Sequence, residues 1–254
     1  MNFRLSIILL FSIASGAVAA ADLSAAIAAV KPSVVGVGSY QRLRSPATVF
    51  SGTGVVLGDG LSVVTNFHVV PEFPDSDQKE TLGVLVAGEG TAFSFRPATV
   101  VAVDKEHDLA HLRLSGAPLP ALKLGDSAAL REGRELAFTG FPLGMVLGLH
   151  PVTHRAMLSA ITPIILPSAN SRQLDARAVA ALQRTPFNIL QLDGTAYPGN
   201  SGSPVFDPAD NSVVGIINMV FVKGLKESAI SNPSGITYAI PARYVQELLQ
   251  RKVP

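Results

Sequence analysis

The stretch YPGNSGSP (197–204) holds two glycines, two serines and two prolines in eight positions. Such a composition is ordinary for a turn. Ser201, flanked by Asn200 and Gly202, gains chemical meaning only in company, and two earlier segments supply it. TNFHVV (65–70) closes a β-rich run and carries His68. A lone histidine in such a place is more often a packed residue than a base. DKEHDLAHL (104–112) sets Asp108 at the head of an apolar strand, where an aspartate by itself reads as a turn residue.

Together, His68, Asp108 and Ser201 supply every part of an activated hydroxyl. A serine hydroxyl is a weak nucleophile until a neighbouring imidazole takes its proton. That imidazole in turn needs a carboxylate to fix its tautomer and offset its positive charge. The chain order His, Asp, Ser is one known solution. The turn Gly199–Asn200–Ser201 then provides an oxyanion hole. Gly199 lets the backbone curve so that its own N–H and that of Ser201 converge, and Gly202 leaves room for substrate.

The remaining composition is compatible with such a site. The chain has 254 residues, 48% hydrophobic and 15% charged, with a formal net charge of +1. It can bury a sizeable core, and nothing in it draws the protein to nucleic acid. There is no cysteine, which excludes disulfides, thiol nucleophiles and thiolate metal sites. No cofactor is expected. Residues 1–19 read as a signal peptide. Arg4 precedes an apolar run from Leu5 to Ile13, and Ala17-Val18-Ala19 fits the small-x-small cleavage rule. The expectation is export to the periplasm or beyond, with no stable membrane span once that segment is removed.

From Ser33 onward, short β-branched runs bounded by Gly, Pro or Asp predominate. SVVGVG, TVFSGTGVVL, LSVVTNF, TLGVLVA, ATVVAVD and LAHLRL form one set; ELAFTG, HRAMLSAI, FNILQLD, SVVGIINMVFV and GITYAI form another. LKLGDSAALREG (122–133) divides them. The fold predicted for 20–254 is therefore all-β: two β-barrel-like halves, about 33–125 and 133–240. A short helix capped by Asp22 precedes them, and a C-terminal helix over 241–252 packs on the second half. QLDARAVAALQR (173–184) has helical spacing and decorates a loop. No internal repeat is visible. Strand alternation sends His111 and Arg113 to the polar side of their strand, where both are expected to be solvated. His150 and His154 are no metal pair, since Pro151 breaks the helix that would align them. GFPLGMVLGLHPVTH (140–154) reads either as a mobile loop at the site or as a strand pair packed on the core.

SGTGVVLGDGLSVVTNFHVV, DKEHDLAHLRL, LGDSAALREGRELAFTGFPLG, PGNSGSPVFD and GITYAIP together resemble, in the same order, the protease domain of the HtrA (DegP-like) family. That family is a branch of the chymotrypsin-fold, trypsin-like serine endopeptidases, and the resemblance covers about 34–245. It implies two six-stranded antiparallel barrels with the site in the cleft between them. It also implies His68 as general base, Asp108 as its orienter, Ser201 as nucleophile and polypeptides, including unfolded ones, as substrates. Asp104 matches the loop aspartate ahead of the catalytic one.

The chain also departs from the family pattern. Ser203 stands where a glycine is usual, and GNSGSPVF is similar to staphylococcal-type glutamyl endopeptidases. Ile217 occupies the place of the histidine that sets acidic specificity there, so that preference is not expected. The family generally carries a PDZ domain, and none is expected here. ADLSAAIAAVKP lacks the aromatic residues on which the family's trimers lean, leaving the oligomeric state open. Asn200, being uncharged, cannot pair with a new N-terminal amine, so no zymogen cut is expected. Thr195, Ile217, Asn218 and Met219 are assigned to the substrate pocket, whose lack of charge favours a modest apolar side chain. The competing readings are a non-catalytic binding or chaperone-like protein on the same fold, a glutamyl-endopeptidase-like enzyme and an esterase.

Overall fold

The computed structural model describes residues 22–71, 80–88, 90, 92–144, 148–164, 187–219 and 235–251. Residues 1–19, read from the sequence as a signal peptide, and the helix read over 173–184 lie outside the described residues. The chain begins with helix α1 (Leu23–Val30), whose N-cap Asp22 accepts a hydrogen bond from the Ser24 N–H at 2.9 Å. Six strands follow: β1 (Val34–Tyr40), β2 (Thr48–Leu57), β3 (Ser62–Asn66), β4 (Thr81–Ala87), β5 (Phe93–Asp104) and β6 (Leu109–Leu114). A second six are β7 (Glu135–Gly140), β8 (Val152–Pro163), β9 (Asn188–Leu192), β10 (Pro204–Phe206), β11 (Val213–Ile217) and β12 (Thr237–Pro241). Helix α2 (Ala242–Gln250) ends the described chain.

Each set closes into an antiparallel barrel, in the orders β1-β2-β3-β6-β5-β4 and β7-β8-β9-β12-β11-β10. The two orders are the same topology, a duplication that no sequence repeat betrays. Closure leaves neither sheet with a free edge. Among the described residues every strand run read from the sequence contains a strand, residues 220–222 of SVVGIINMVFV lying outside them; β10, only Pro204-Val205-Phe206, is too short to stand out in the sequence.

The continuous apolar runs are explained by burial on both strand faces. Val35, Val37, Val56, Val63, Val84 and Leu112 fill the first barrel. Leu136, Phe138, Leu158, Leu190, Val205 and Ile217 fill the second. The alternate residues Val34, Val55, Val64 and Leu109 point the other way. They form a third core with Phe141, Phe206, Ile216 and Ile240 of the second half and Val245 and Leu248 of α2. Successive side chains on a strand thus serve two different cores. Helix α2 touches β5 and β6 as well as β11 and β12, so it packs across both barrels rather than on the second alone. Arg251 at its end donates to the Val103 carbonyl (3.0 Å) and to Asp104 Oδ2 (2.6 Å). Among the described residues no helix is long and apolar enough to cross a membrane.

The shared core explains a wrong expectation. His111 is not solvated but buried, 7% exposed. It pairs directly with Val64, and opposed residues share a face, so it points toward the core between the barrels. Neither ring nitrogen has a hydrogen-bond partner. Burial, with the nearby Arg113 charge, pushes its pKa below the ordinary histidine value, against a smaller opposing pull from Asp59.

Candidate active site

His68 sits in a single 3-10 turn (Phe67–Val69) that follows β3 directly. Asp108 stands immediately before β6, the neighbour of β3 in the barrel. The pairing of Asn66 with Leu109 therefore brings the two residues together. Asp108 Oδ1 accepts from the His68 backbone N–H at 2.9 Å, and Oδ2 lies 2.5 Å from His68 Nδ1. Its carbonyl accepts from Phe67 N–H (3.0 Å) and Asn66 Nδ2 (3.1 Å). Asp108 has φ of 54°, a left-handed conformation costing an L-residue about 1–3 kcal/mol. These hydrogen bonds hold it there and aim the carboxylate at the imidazole.

Ser201 comes from the other barrel. Its carbonyl accepts from Thr53 N–H of β2 at 2.8 Å. Gly52 is wedged at the same seam. A Cβ on it would lie 2.7 Å from Val69, the residue after His68, and 3.0 Å from the Ser201 carbonyl oxygen. The turn carrying the serine is therefore docked against the turn carrying the imidazole. Ser201 is 7% exposed. Its hydroxyl makes no hydrogen bond to His68 or to any other described residue, a looseness common before substrate binds.

Within the turn, Asn200 N–H donates to Tyr197 O (2.9 Å), Gly202 N–H to Ile217 O (3.0 Å) and Ser203 N–H to Asn200 O (3.0 Å). The N–H groups of Gly199 and Ser201 have no acceptor among the described residues. Leu143 N–H holds the Pro198 carbonyl at 2.7 Å. In a trans peptide the N–H points opposite to the carbonyl, so Gly199 N–H is turned away from Leu143. Asn200, grouped from sequence with the oxyanion donors, has its N–H engaged within the turn and is not one of them. Gly199 has φ of 99°, and a Cβ on it would sit 2.3 Å from the Phe141 carbonyl oxygen. Gly202 has φ of 89°, and its Cβ would fall 1.9 Å from the Thr53 carbonyl oxygen. The absent side chain there makes room for the other barrel, not for substrate.

A family model described as the trypsin-like peptidase domain matches residues 52–216, a span that contains His68, Asp108 and Ser201. The chain belongs to the trypsin-like peptidase family. It is similar to the mitochondrial serine protease HTRA2 of Drosophila pseudoobscura pseudoobscura, 31% identical over 206 residues, covering 81% of this chain and 40% of that protein. The HTRA2 of Drosophila willistoni is 30% identical over 206 residues, with 81% and 39% covered. This chain thus spans about two fifths of the length of these curated relatives. Among solved structures, the HtrA-type protease AlgW with a decapeptide aligns with a TM-score of 0.63 at 23% identity, covering 90% of this chain and 66% of that one. Its variant AlgWS227A with a tripeptide gives 0.62 at 24%, covering 90% and 62%. The shared fold is that of HtrA proteases, as the motifs implied.

Within this trypsin-like peptidase the pocket assignments divide. Thr195 and Met219 are half-buried. Ile217 is fully buried in the core of the second barrel and cannot wall an open pocket. Asn218 is also fully buried, and its Nδ2 donates to Asp108 Oδ2 at 2.8 Å. The second barrel therefore reaches back to steady the aspartate of the first. Sequence alone could not distinguish an asparagine facing a pocket from one facing a carboxylate, because both follow the same apolar strand.

A second histidine–carboxylate pair lies close by. Asp104 Oδ2 is 2.9 Å from His107 Nδ1 and also accepts from Arg251. Burial alone would raise the Asp104 pKa, but the hydrogen bonds from His107 and the charges of His107 and Arg251 outweigh it, and the net shift is downward. His107 stacks on Tyr244 of α2, with ring centroids 3.8 Å apart. This pair anchors the C-terminal helix. His154 stacks on Phe138 at 4.9 Å, and burial pushes its pKa down. Among the described residues no group of three His, Cys, Asp or Glu side chains is placed to hold a metal. In the 140–154 segment, Phe141 and Leu149 are buried in the shared core and Leu143 is 43% exposed, while residues 145–147 lie outside the described residues.

Proposed function

We propose that this chain is an exported serine endopeptidase that cleaves polypeptides through an acyl-enzyme. The observation that carries the reading is the His68 Nδ1–Asp108 Oδ2 contact of 2.5 Å, on the seam where the Ser201 turn docks. It fixes the histidine tautomer and leaves Nε2 to take a proton. In this reading Ser201 Oγ attacks the scissile carbonyl while His68 accepts the hydroxyl proton. Asp108, steadied by Asn218, stabilises the imidazolium. The unpaired N–H groups of Gly199 and Ser201 receive the oxyanion as it forms. His68 then passes its proton to the leaving amine, and water repeats the sequence on the ester.

Polypeptide substrates are supported by the tripeptide and the decapeptide bound to the HtrA-type neighbours. With Ile217 and Asn218 removed from the pocket, Thr195 and Met219 remain as uncharged lining, and a modest apolar side chain is the proposed preference on the acyl side. Export rests on the N-terminal Arg4 and apolar run. Asn200 offers no charge to a new N-terminus, so removal of the leader is the only maturation proposed.

The alternative reading, a binding or chaperone-like protein on the same fold, draws on one observation: Ser201 Oγ makes no hydrogen bond to His68. Labelling with a fluorophosphonate and mass spectrometry of the modified peptide discriminates the two. Modification at Ser201 is the expected result, and a folded protein that remains unlabelled supports the binding reading instead.

A further inference from the structure

The Ser201 turn receives little help from its own side chains. Asn200 and Ser203 are fully buried, yet the Asn200 carboxamide oxygen and nitrogen and the Ser203 hydroxyl have no hydrogen-bond partner. Among the described residues, a single side-chain hydrogen bond reaches residues 198–202, and it comes from the opposite barrel. Thr53 Oγ1 of β2 donates to the Gly199 carbonyl at 2.7 Å. The same oxygen accepts from Phe141 N–H at 3.1 Å. A threonine hydroxyl has one proton and two lone pairs, so both bonds are satisfied at once and in only one sense.

We infer that Thr53 is a positioning residue for the oxyanion hole, a role that rests on the serine-peptidase reading above. Two peptide planes flank Gly199, and its orientation follows if both are held. The plane after it is held directly, by the Thr53 hydroxyl on the Gly199 carbonyl. The plane before it is held by Leu143 N–H on the Pro198 carbonyl, and Leu143 belongs to the turn that Phe141 opens. Phe141 N–H is the group that Thr53 Oγ1 accepts. One hydroxyl therefore acts on both planes, directly on one and through the 141–144 turn on the other. Gly199 at φ of 99° has no side chain to resist rotation, so these bonds decide where its N–H points. Thr53 main-chain atoms add to the grip: its N–H holds Ser201 O at 2.8 Å, and its own carbonyl accepts from Thr65 Oγ1 at 2.6 Å. The oxyanion donors are thus set by the docking of the first barrel on the second, not by the second barrel alone.

The test compares the parent with Thr53→Val, which replaces the hydroxyl by a methyl of similar size, and with Thr53→Ser, which keeps it. Losing an oxyanion donor outright costs about 10²–10³ in kcat, and a donor displaced rather than lost is expected to cost about tenfold to a hundredfold. Thr53→Val should therefore lower kcat on a peptide substrate by that factor with KM little changed. Affinity for a peptide boronate, which forms the tetrahedral adduct, should fall in parallel, and Thr53→Ser should restore most of both. A merely structural role would lower the melting temperature without separating kcat from KM. If Thr53→Val does not fold, Thr53→Cys carries the test. Its thiol is a weaker donor of similar volume, and the expected order of kcat is then threonine, serine, cysteine. Parent protein labelled at Ser201 by fluorophosphonate, with Val or Cys variants as active and as tightly boronate-bound as the parent, overturns the Thr53 assignment alone. A parent that is never labelled overturns the peptidase reading and this one with it.

Discussion

Asn218 Nδ2 lies 2.8 Å from Asp108 Oδ2, so the second barrel donates a hydrogen bond to a carboxylate that belongs to the first. The same oxygen is 2.5 Å from His68 Nδ1. A carboxylate with two donors on one oxygen and a backbone N–H on the other has little freedom to rotate. Hydrogen bonds to charged groups contribute about 1.5–3 kcal/mol, which corresponds to about tenfold to a hundredfold in rate if the loss falls on the transition state. Asn218→Ala is expected to reduce kcat/KM by that factor while Ser201 remains in place. Steady-state kinetics on a peptide substrate measures it, and unchanged turnover would leave Asn218 a packing residue only.

Replacing the nucleophile should have a far larger effect. Ser201→Ala is expected to lower turnover by on the order of 10⁴–10⁶, with His68→Ala about as damaging and Asp108→Ala somewhat less so. A Ser201→Ala protein that hydrolyses peptides at the parental rate would refute the proposed function.

Gly202→Ala addresses the barrel interface instead. The new Cβ would be 1.9 Å from the Thr53 carbonyl oxygen, at φ of 89°. Left-handed strain alone costs about 1–3 kcal/mol, and the clash with backbone adds to it. The expected outcome is a lower urea midpoint together with lost activity, since the Ser201 turn must shift away from β2. A variant with parental stability would mean the barrels part at little cost.

The buried His111 makes a prediction with a defined sign. Its folded pKa is depressed below 6.5, so the unfolded chain takes up the proton first as the pH falls. Stability is therefore complete above the unfolded value and declines as the pH drops below it, until the folded value is reached. His111→Leu removes both the titration and two unpartnered nitrogens. Leaving a buried polar group unsatisfied costs about 1–3 kcal/mol, so the variant should melt higher at neutral pH, and its advantage should widen below pH of about 6.5. Thermal melts at several pH values read both effects; a parallel pair of curves would contradict the buried placement.

Asp104 titrates in the opposite manner to His111 in charge but with the same dependence on acid. Its folded pKa lies below 3.8, so its contribution to stability is present above that value and is lost as the pH falls through the folded one. Asp104→Asn is expected to lower the melting temperature at neutral pH by loosening His107 and Arg251, and thereby α2. The difference from the parent should shrink in strong acid, where the parent carboxylate is also protonated. A gap that persists there would point to geometry rather than charge as its source.

Much of this molecule is legible along the chain. The strand runs, the dividing segment at 122–133 and the capped helix at Asp22 are local patterns, and local patterns follow from backbone sterics and side-chain period. The pairing of His68 with Asp108 was also readable, and Ser201 could be named as their candidate nucleophile, because those residue types in that order meet a chemical requirement that few other arrangements satisfy. Period-two alternation says that a strand has two faces, but it does not say which of them meets water. His111 was misplaced for that reason: its face is covered by a core that exists only once both barrels and α2 have come together. Asn218, Gly202 and Thr53 take their roles from partners 110, 149 and 146 residues away in the chain, namely Asp108, Thr53 and Gly199. Sequence determined which elements form and which groups could react. Only the docking of one barrel on the other decided which atoms hold them in place, because hydrogen bonds between distant segments depend on distances and directions that no local pattern encodes.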